Sequence, residues 1–183
     1  MMRFQQTRTK IMNIQVKPVE GHRAILTVGD REFPAAIGKA GVTTDKKEGD
    51  NKSPIGRFSI REGYYRADKI DMPKSRLHFK EIKKTDGWCD APEHELYNRP
   101  VPLPFEASHE KLWREDDVYD VIVPLGYNDA PPVPGRGSAI FLHVARPDYS
   151  GTEGCVALKL EDLLDLLSLI DIKSTLEIQT ANM

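Results

Sequence analysis

The sequence is short of several things, and each shortage removes a class of protein. Two cysteines in 183 residues, Cys89 and Cys155, are too few for a disulfide framework, so at least one is expected to be a free thiol. Lysine and arginine number 26 against 28 aspartates and glutamates, a net charge of −2, which leaves no basic excess to meet a nucleic-acid backbone. No apolar run is long enough to span a membrane. Met1–Pro18 carries Arg3, Arg8, Lys10 and Lys17 and no stretch resembling a secretory apolar segment. On this reading the chain is cytosolic, exported by a route the sequence does not spell out, or seen without its leader. Metal-ligand spacing is also missing: Asp90, Glu93, His94 and Glu95 lie together, but no second cluster answers them, and they read as a solvated loop. Nothing in the sequence sets the oligomeric state.

What is present is a soluble globular composition, 39% hydrophobic and 30% charged, long enough to bury a core unaided. A single domain over 1–183 is expected, with a core of about 13–180. From Asn13 to Ile60 apolar residues alternate as in half-buried strands: Ile14 and Val16, then Ile25 with Leu26 and Val28, then Phe33 and Ile37. Val28-Gly29-Asp30-Arg31 reads as a hairpin, since Gly-Asp accepts the positive φ of tight turns. Gly63 to Asp117 is rich in charge, proline and aromatics without a sustained period, and reads as elaborated loops with short strands over a groove. Strands are expected again at Val118–Val123, Ser138–Val144 and Cys155–Leu158. Leu160, Leu163, Leu164 and Leu167 then form a helical stripe, with Glu161 and Asp162 in the first turn where acids suit the helix dipole. Leu176 and Ile178 close with a final strand. The expected fold class is mainly β, with one amphipathic helix after the Cys155 strand and long irregular loops.

Gly154-Cys155 is the sharpest local signal. A cysteine attacks as thiolate, and a free thiol with pKa about 8.5 stays mostly protonated at neutral pH without a neighbouring imidazolium or backbone donors. His143, twelve positions earlier at a predicted strand end, is the candidate base, able to take the thiol proton and return one to a leaving amine. Gly154 can take a turn conformation closed to other residues, so that its own N–H or that of Cys155 would form an oxyanion hole. The carbonyl of Val144 is a candidate to orient the imidazole. The same cysteine also fits a small buried hydrophobe, and local chemistry alone leaves both readings standing.

Beyond the local pair, Ile140-Phe141-Leu142-His143 followed by Thr152-Glu153-Gly154-Cys155-Val156 resembles the signature of the YkuD family of L,D-transpeptidases, a strand ending in His, a loop, and Ser/Thr-x-Gly-Cys. Upstream, Lys39-Ala40-Gly41-Val42, Lys47-Glu48-Gly49-Asp50 and Ser53-Pro54-Ile55-Gly56-Arg57-Phe58 resemble the family's glycine-rich segments. Trp88-Cys89-Asp90 and Tyr97-Asn98-Arg99 are similar to an insert found in one bacterial branch. The resemblance implies a β-sandwich-like catalytic domain with no metal or organic cofactor, acting on peptidoglycan stem peptides in the cell envelope or periplasm. Cys155 would attack the carbonyl at the L-centre of meso-diaminopimelate, release D-alanine and form a thioester. An amine would then resolve it into a cross-link, or water would make the protein an L,D-carboxypeptidase. A cytosolic cysteine hydrolase of small peptides and a non-catalytic wall-binding module are the rival readings. Arg146 and Arg99 offer guanidinium forks for stem carboxylates, and Thr152, Glu153, Trp88 and Tyr97 complete the expected substrate contacts. Three departures stand out: Glu153 where relatives often carry a second histidine, Ala157 where many carry Arg or Asn, and a shorter loop between His143 and Cys155. Cys89 reads as a packed free thiol.

Overall fold

The structure, a computed structural model, describes residues 10–181. Of the amino-terminal stretch read for a leader, Met1–Thr9 lie outside the described residues. Three strands linked by tight turns start the fold: β1 (Ile14–Glu20), β2 (Arg23–Val28) and β3 (Arg31–Ala36). Gly29 takes φ +58 in the expected hairpin, and Val28 pairs with Arg31. Ile14, Val16, Ala24, Leu26, Val28 and Phe33 turn inward. Ile25 does not join them, because a strand sends alternate residues to opposite faces and Ala24, Leu26 and Val28 already take the inner one.

Next come β4 (Val42–Thr43) and β5 (Ser53–Pro54), a small parallel pair, then β6 (Gly56–Ser59), β7 (Gly63–Tyr65) and β8 (Phe79–Glu81). The strands β9 (Asp86–Cys89), β10 (Pro100–Pro102) and β11 (His109–Lys111) make a separate three-stranded sheet. The carboxy-terminal third supplies β12 (Val121–Pro124), β13 (Phe141–Val144), β14 (Val156–Leu158), the helix α1 (Leu160–Leu169) and β15 (Thr175–Ile178). Ten of these strands form one sheet in the order β6-β15-β1-β2-β3-β14-β13-β12-β7-β8. The sheet curls until it meets itself. Beyond β6, Ile60 bridges Leu125, Arg61 N–H donates to Pro124 O at 3.0 Å, and Gly126 N–H to Ser59 O at 2.8 Å.

The fold is mainly β with one helix among the described residues, as the sequence predicts. Leu163, Leu166 and Leu167 of α1 are fully buried, with Leu160 and Leu164 packed at the margin. Each buried leucine contributes about 2 kcal/mol by area removed from water. Two carbonyls of the last turn are satisfied from outside the helix, by Ser75 Oγ on Leu167 O at 2.7 Å and Arg76 on Leu169 O at 3.3 Å.

β12, β13 and β14 are buried on both faces, which is why they read as continuous apolar runs rather than alternating ones. On one face Leu142, Val144 and Val156 join α1 in the main core. On the other, Ile122, Phe141 and Cys155 join Trp88, Leu112 and Tyr119 in a second core. The charged, proline-rich zone from Gly63 to Asp117 therefore has a structural job: its three-stranded sheet covers this second face. No helix among the described residues is long and apolar enough to cross a membrane.

Candidate active site

β13 and β14 run parallel, with Leu142 opposite Val156 and His143 opposite Ala157. Cys155 thus falls in register with Phe141, one alternation back from His143, and both side chains project from the sheet face carrying Phe141. They line one open cavity of about 850 Å³, and each is 7% exposed. The thiol of Cys155 donates to Ala139 O at 3.1 Å, and its sulfur accepts from Phe141 N–H at 3.3 Å. Nδ1 of His143 lies 2.9 Å from the carbonyl oxygen of Val144, an arrangement that holds the proton on Nδ1 and leaves Nε2 free to accept one. The imidazole stacks edge-on against Tyr119 at 5.6 Å between centroids.

Burial governs both ionisations. It pushes the Cys155 thiol up to about 12, assisted by the Glu110 charge and opposed by the Phe141 N–H. It pushes His143 down to about 4, opposed by the Val144 carbonyl and assisted by the guanidinium groups of Arg114 and Arg146. The expected thiolate stabilised by imidazolium is therefore not the resting state. Both groups have lost hydration without a hydrogen bond to each other to repay it, so the resting site holds a neutral thiol and a neutral imidazole.

The turn before Cys155 is fixed from two sides. Thr152 Oγ1 donates to Cys155 O at 2.7 Å and accepts from Gly154 N–H at 3.1 Å. Ser53 Oγ donates to Gly154 O at 2.7 Å and accepts from Gly38 N–H at 2.9 Å. Gly154 sits at φ +140, and a Cβ there would lie 2.9 Å from Lys52 O. Only glycine suits this position. The Ser-Pro-x-Gly segment, visible in the sequence only as a motif, is thereby seen to brace the cysteine turn.

Asn98 braces the segment ahead of β13. Its Oδ1 accepts from Ala139 N–H at 3.0 Å and from Trp88 Nε1 at 2.9 Å, while its Nδ2 donates to the carbonyls of Tyr127 and Asn128. Ala139, at φ +52, is held in a conformation uncommon for a residue with a Cβ. Its carbonyl is the one that receives the thiol.

The predicted substrate contacts divide. Arg146 and Glu153 are exposed and line the cavity. Thr152 lines it too, but its hydroxyl is spent on the turn. Tyr97 is buried, donates to Glu48 at 2.5 Å and accepts from Gly137 N–H at 2.9 Å, so it orders the wall from behind. Trp88 and Arg99 do not line this cavity. They border a smaller one of about 240 Å³, and Trp88 packs on Phe141 at 5.0 Å because its ring completes the second core. Residues the sequence did not single out fill the wall instead, Lys46, Glu110, Arg114 and Tyr119, together with Glu48 of the Lys47–Asp50 segment. Arg114 is paired with Asp116 at 2.7 Å, and that pairing holds Asp116 down to about 2. His22 also lines the cavity. Cys89 lies apart in its own small apolar cluster.

A thiol and an imidazole thus project from one sheet face into one cavity. Residues 14–178 match the family described as YkuD, the L,D-transpeptidase catalytic domain, and the chain belongs to that family. Among solved structures it is similar to L,D-transpeptidase 1 of Mycobacterium tuberculosis, at 11% identity and TM-score 0.43 over 93% of this chain and 62% of that one. It is also similar to an L,D-transpeptidase from Mycobacterium smegmatis, at 12% identity and TM-score 0.42 over 92% and 59% of the two chains. L,D-transpeptidase 3 of Mycobacterium tuberculosis, in complex with a faropenem-derived adduct, gives 13% identity and TM-score 0.41 over 92% and 61%. The chain thus spans about three fifths of the length of these structures. No curated protein matches the sequence.

Proposed function

We propose that the protein is a peptidoglycan L,D-transpeptidase of the cell envelope, with Cys155 as nucleophile and His143 as base. The observation that carries this reading is the placement of the two groups on adjoining strands with one shared cavity. Starting from neutral partners, Nε2 of His143 takes the thiol proton as sulfur attacks the carbonyl at the L-centre of meso-diaminopimelate. The imidazolium, unstable in its buried place, gives the proton to the departing amine of D-alanine, and a thioester remains. Gly154 N–H is already engaged by Thr152, so the N–H of Cys155 is the better donor to the oxyanion. A donor so placed lowers the barrier by about 3 kcal/mol. Arg146 on the rim supplies a guanidinium group for the stem carboxylates.

Purified protein incubated with disaccharide-tetrapeptides containing meso-diaminopimelate is expected to release D-alanine and form cross-linked dimers. Free tripeptide without dimers would identify an L,D-carboxypeptidase. Absence of both products would return the chain to the binding-module reading.

A further inference from the structure

Glu110 lies on β11 and lines the cavity with Cys155 and His143, though nothing in the thiol–imidazole chemistry uses it. Its Oε2 accepts a hydrogen bond of 2.5 Å from the Tyr119 hydroxyl, and it forms no ion pair among the described residues. Arg114, a cation on the same cavity, is already held in a two-pronged contact by Asp116 at 2.7 Å on each arm. A carboxyl group without a cationic partner beside a reacting centre has proton affinity to spare.

The acyl-enzyme must be resolved by an amine, and an amine reaches the protein at neutral pH as an ammonium ion with no lone pair. His143 handles the proton released during attack; one more base is needed to free the lone pair beforehand. We propose that Glu110, oriented by Tyr119, is the group that receives and deprotonates the ammonium of the acceptor. The proposal rests on the transpeptidase reading above. In the step, the ammonium gives one proton to the Glu110 carboxylate and the freed lone pair attacks the thioester carbonyl. A C–N bond forms and the C–S bond breaks. The second amine proton passes through His143 to the Cys155 sulfur, restoring the thiol, and the Glu110 carboxyl returns its proton to solvent.

The electrostatic setting suits this work. Burial raises Glu110 to about 7, with the charges of Asp90 and Glu153 adding and the Tyr119 hydroxyl and Arg114 opposing. Cys155, whose thiol is raised in part by the Glu110 charge, is neutral in the resting site. Glu110 is therefore able to hold or release a proton near neutrality. The exposed carboxylate of Glu153, on the same cavity, adds to the attraction for a cation.

The test compares two acceptors on the acylated full chain: glycinamide, largely an ammonium ion at neutral pH, and hydroxylamine, which is already unprotonated there. Transfer is followed by mass spectrometry of the products. In Glu110→Gln the ratio of transfer to glycinamide over transfer to hydroxylamine is expected to fall tenfold or more. Glu110→Asp should restore part of it. In the wild type this ratio should rise with pH through about 7. Hydroxylamine transfer by the variant shows that it has folded; if the variant transfers to neither acceptor, Glu110→Asp carries the same comparison. A ratio within twofold of wild type, in a variant that still forms the acyl-enzyme, would overturn this inference alone. A wild-type protein that forms no acyl-enzyme would overturn the functional reading, and this inference with it.

Discussion

Cys89 and Cys155 are both buried, and burial pushes both thiols above their ordinary range, yet their surroundings differ. Cys89 ends β9, fully enclosed by Ala91, Val101 and the flanking Phe105 and Ala107. Its backbone is paired twice, through its N–H to Arg99 O and through its carbonyl to Asn98 N–H, both at 2.9 Å. Cys155 follows a glycine turn, with an imidazole on the next strand and a cavity in front. A low resting pKa does not distinguish the two. What distinguishes them is an imidazole that shares an open cavity with one thiol and not the other.

The largest expected effect sharpens that contrast. Cys155→Ala should abolish D-alanine release and acyl-enzyme formation, whereas Cys89→Ala should keep both. Loss of the buried sulfur at Cys89 should lower stability by about 1–2 kcal/mol, read from urea unfolding. If Cys89→Ala were the inactive variant, the comparison would be reversed and the site wrongly placed.

His143→Ala comes next. Losing the base should slow acylation by about 10²- to 10⁴-fold, followed by intact mass against time. A rate within a few-fold of wild type would show that Cys155 needs no imidazole.

Third is the pH dependence of stability. An unfolded histidine protonates near 6.5, whereas His143 in the fold does so only at about 4. The unfolded state therefore takes up the proton first as pH falls. Stability should be full above about 6.5 and decline toward 4, by about 3 kcal/mol from this residue. His143→Gln should flatten the decline between pH 7 and 4 in urea titrations. An equal decline in the variant would assign it to other groups.

The smallest effect concerns the turn. Gly154→Ala places a Cβ 2.9 Å from Lys52 O at φ +140, and should cost about 2–3 kcal/mol. Its thermal midpoint should fall; an unchanged midpoint would mean that the turn relaxes freely.

Much of the framework was legible in the sequence because it rests on local patterns. The Gly29 hairpin, the leucine stripe of α1 and the strands at 141–144 and 175–178 follow from period and turn chemistry. The closure of the sheet through Ile60 and Leu125 was not, since a single bridge between distant segments leaves no periodic trace. The three-stranded sheet of the middle zone was hidden for a related reason: its strands are three or four residues long and carry Pro100, Pro102 and charged side chains. In the site, His143, Cys155 and Gly154 stood out by motif. Glu110, Tyr119 and Lys46 did not, because each arrives from a separate segment and becomes part of the cavity only once the second core has formed. Trp88 and Arg99 lie outside the Cys155 cavity and border a smaller one, since a motif shows adjacency in sequence and not which side of Phe141 a residue occupies.

On the proposed function, position rather than resting acidity selects one of the two buried thiols as nucleophile. The most direct test is to trap wild-type protein during incubation with disaccharide-tetrapeptide, digest it, and locate the acyl adduct by peptide mapping. A thioester is expected on Cys155, formed together with one equivalent of free D-alanine, and none on Cys89. An adduct on Cys89, or D-alanine release with no adduct on either cysteine, would contradict it.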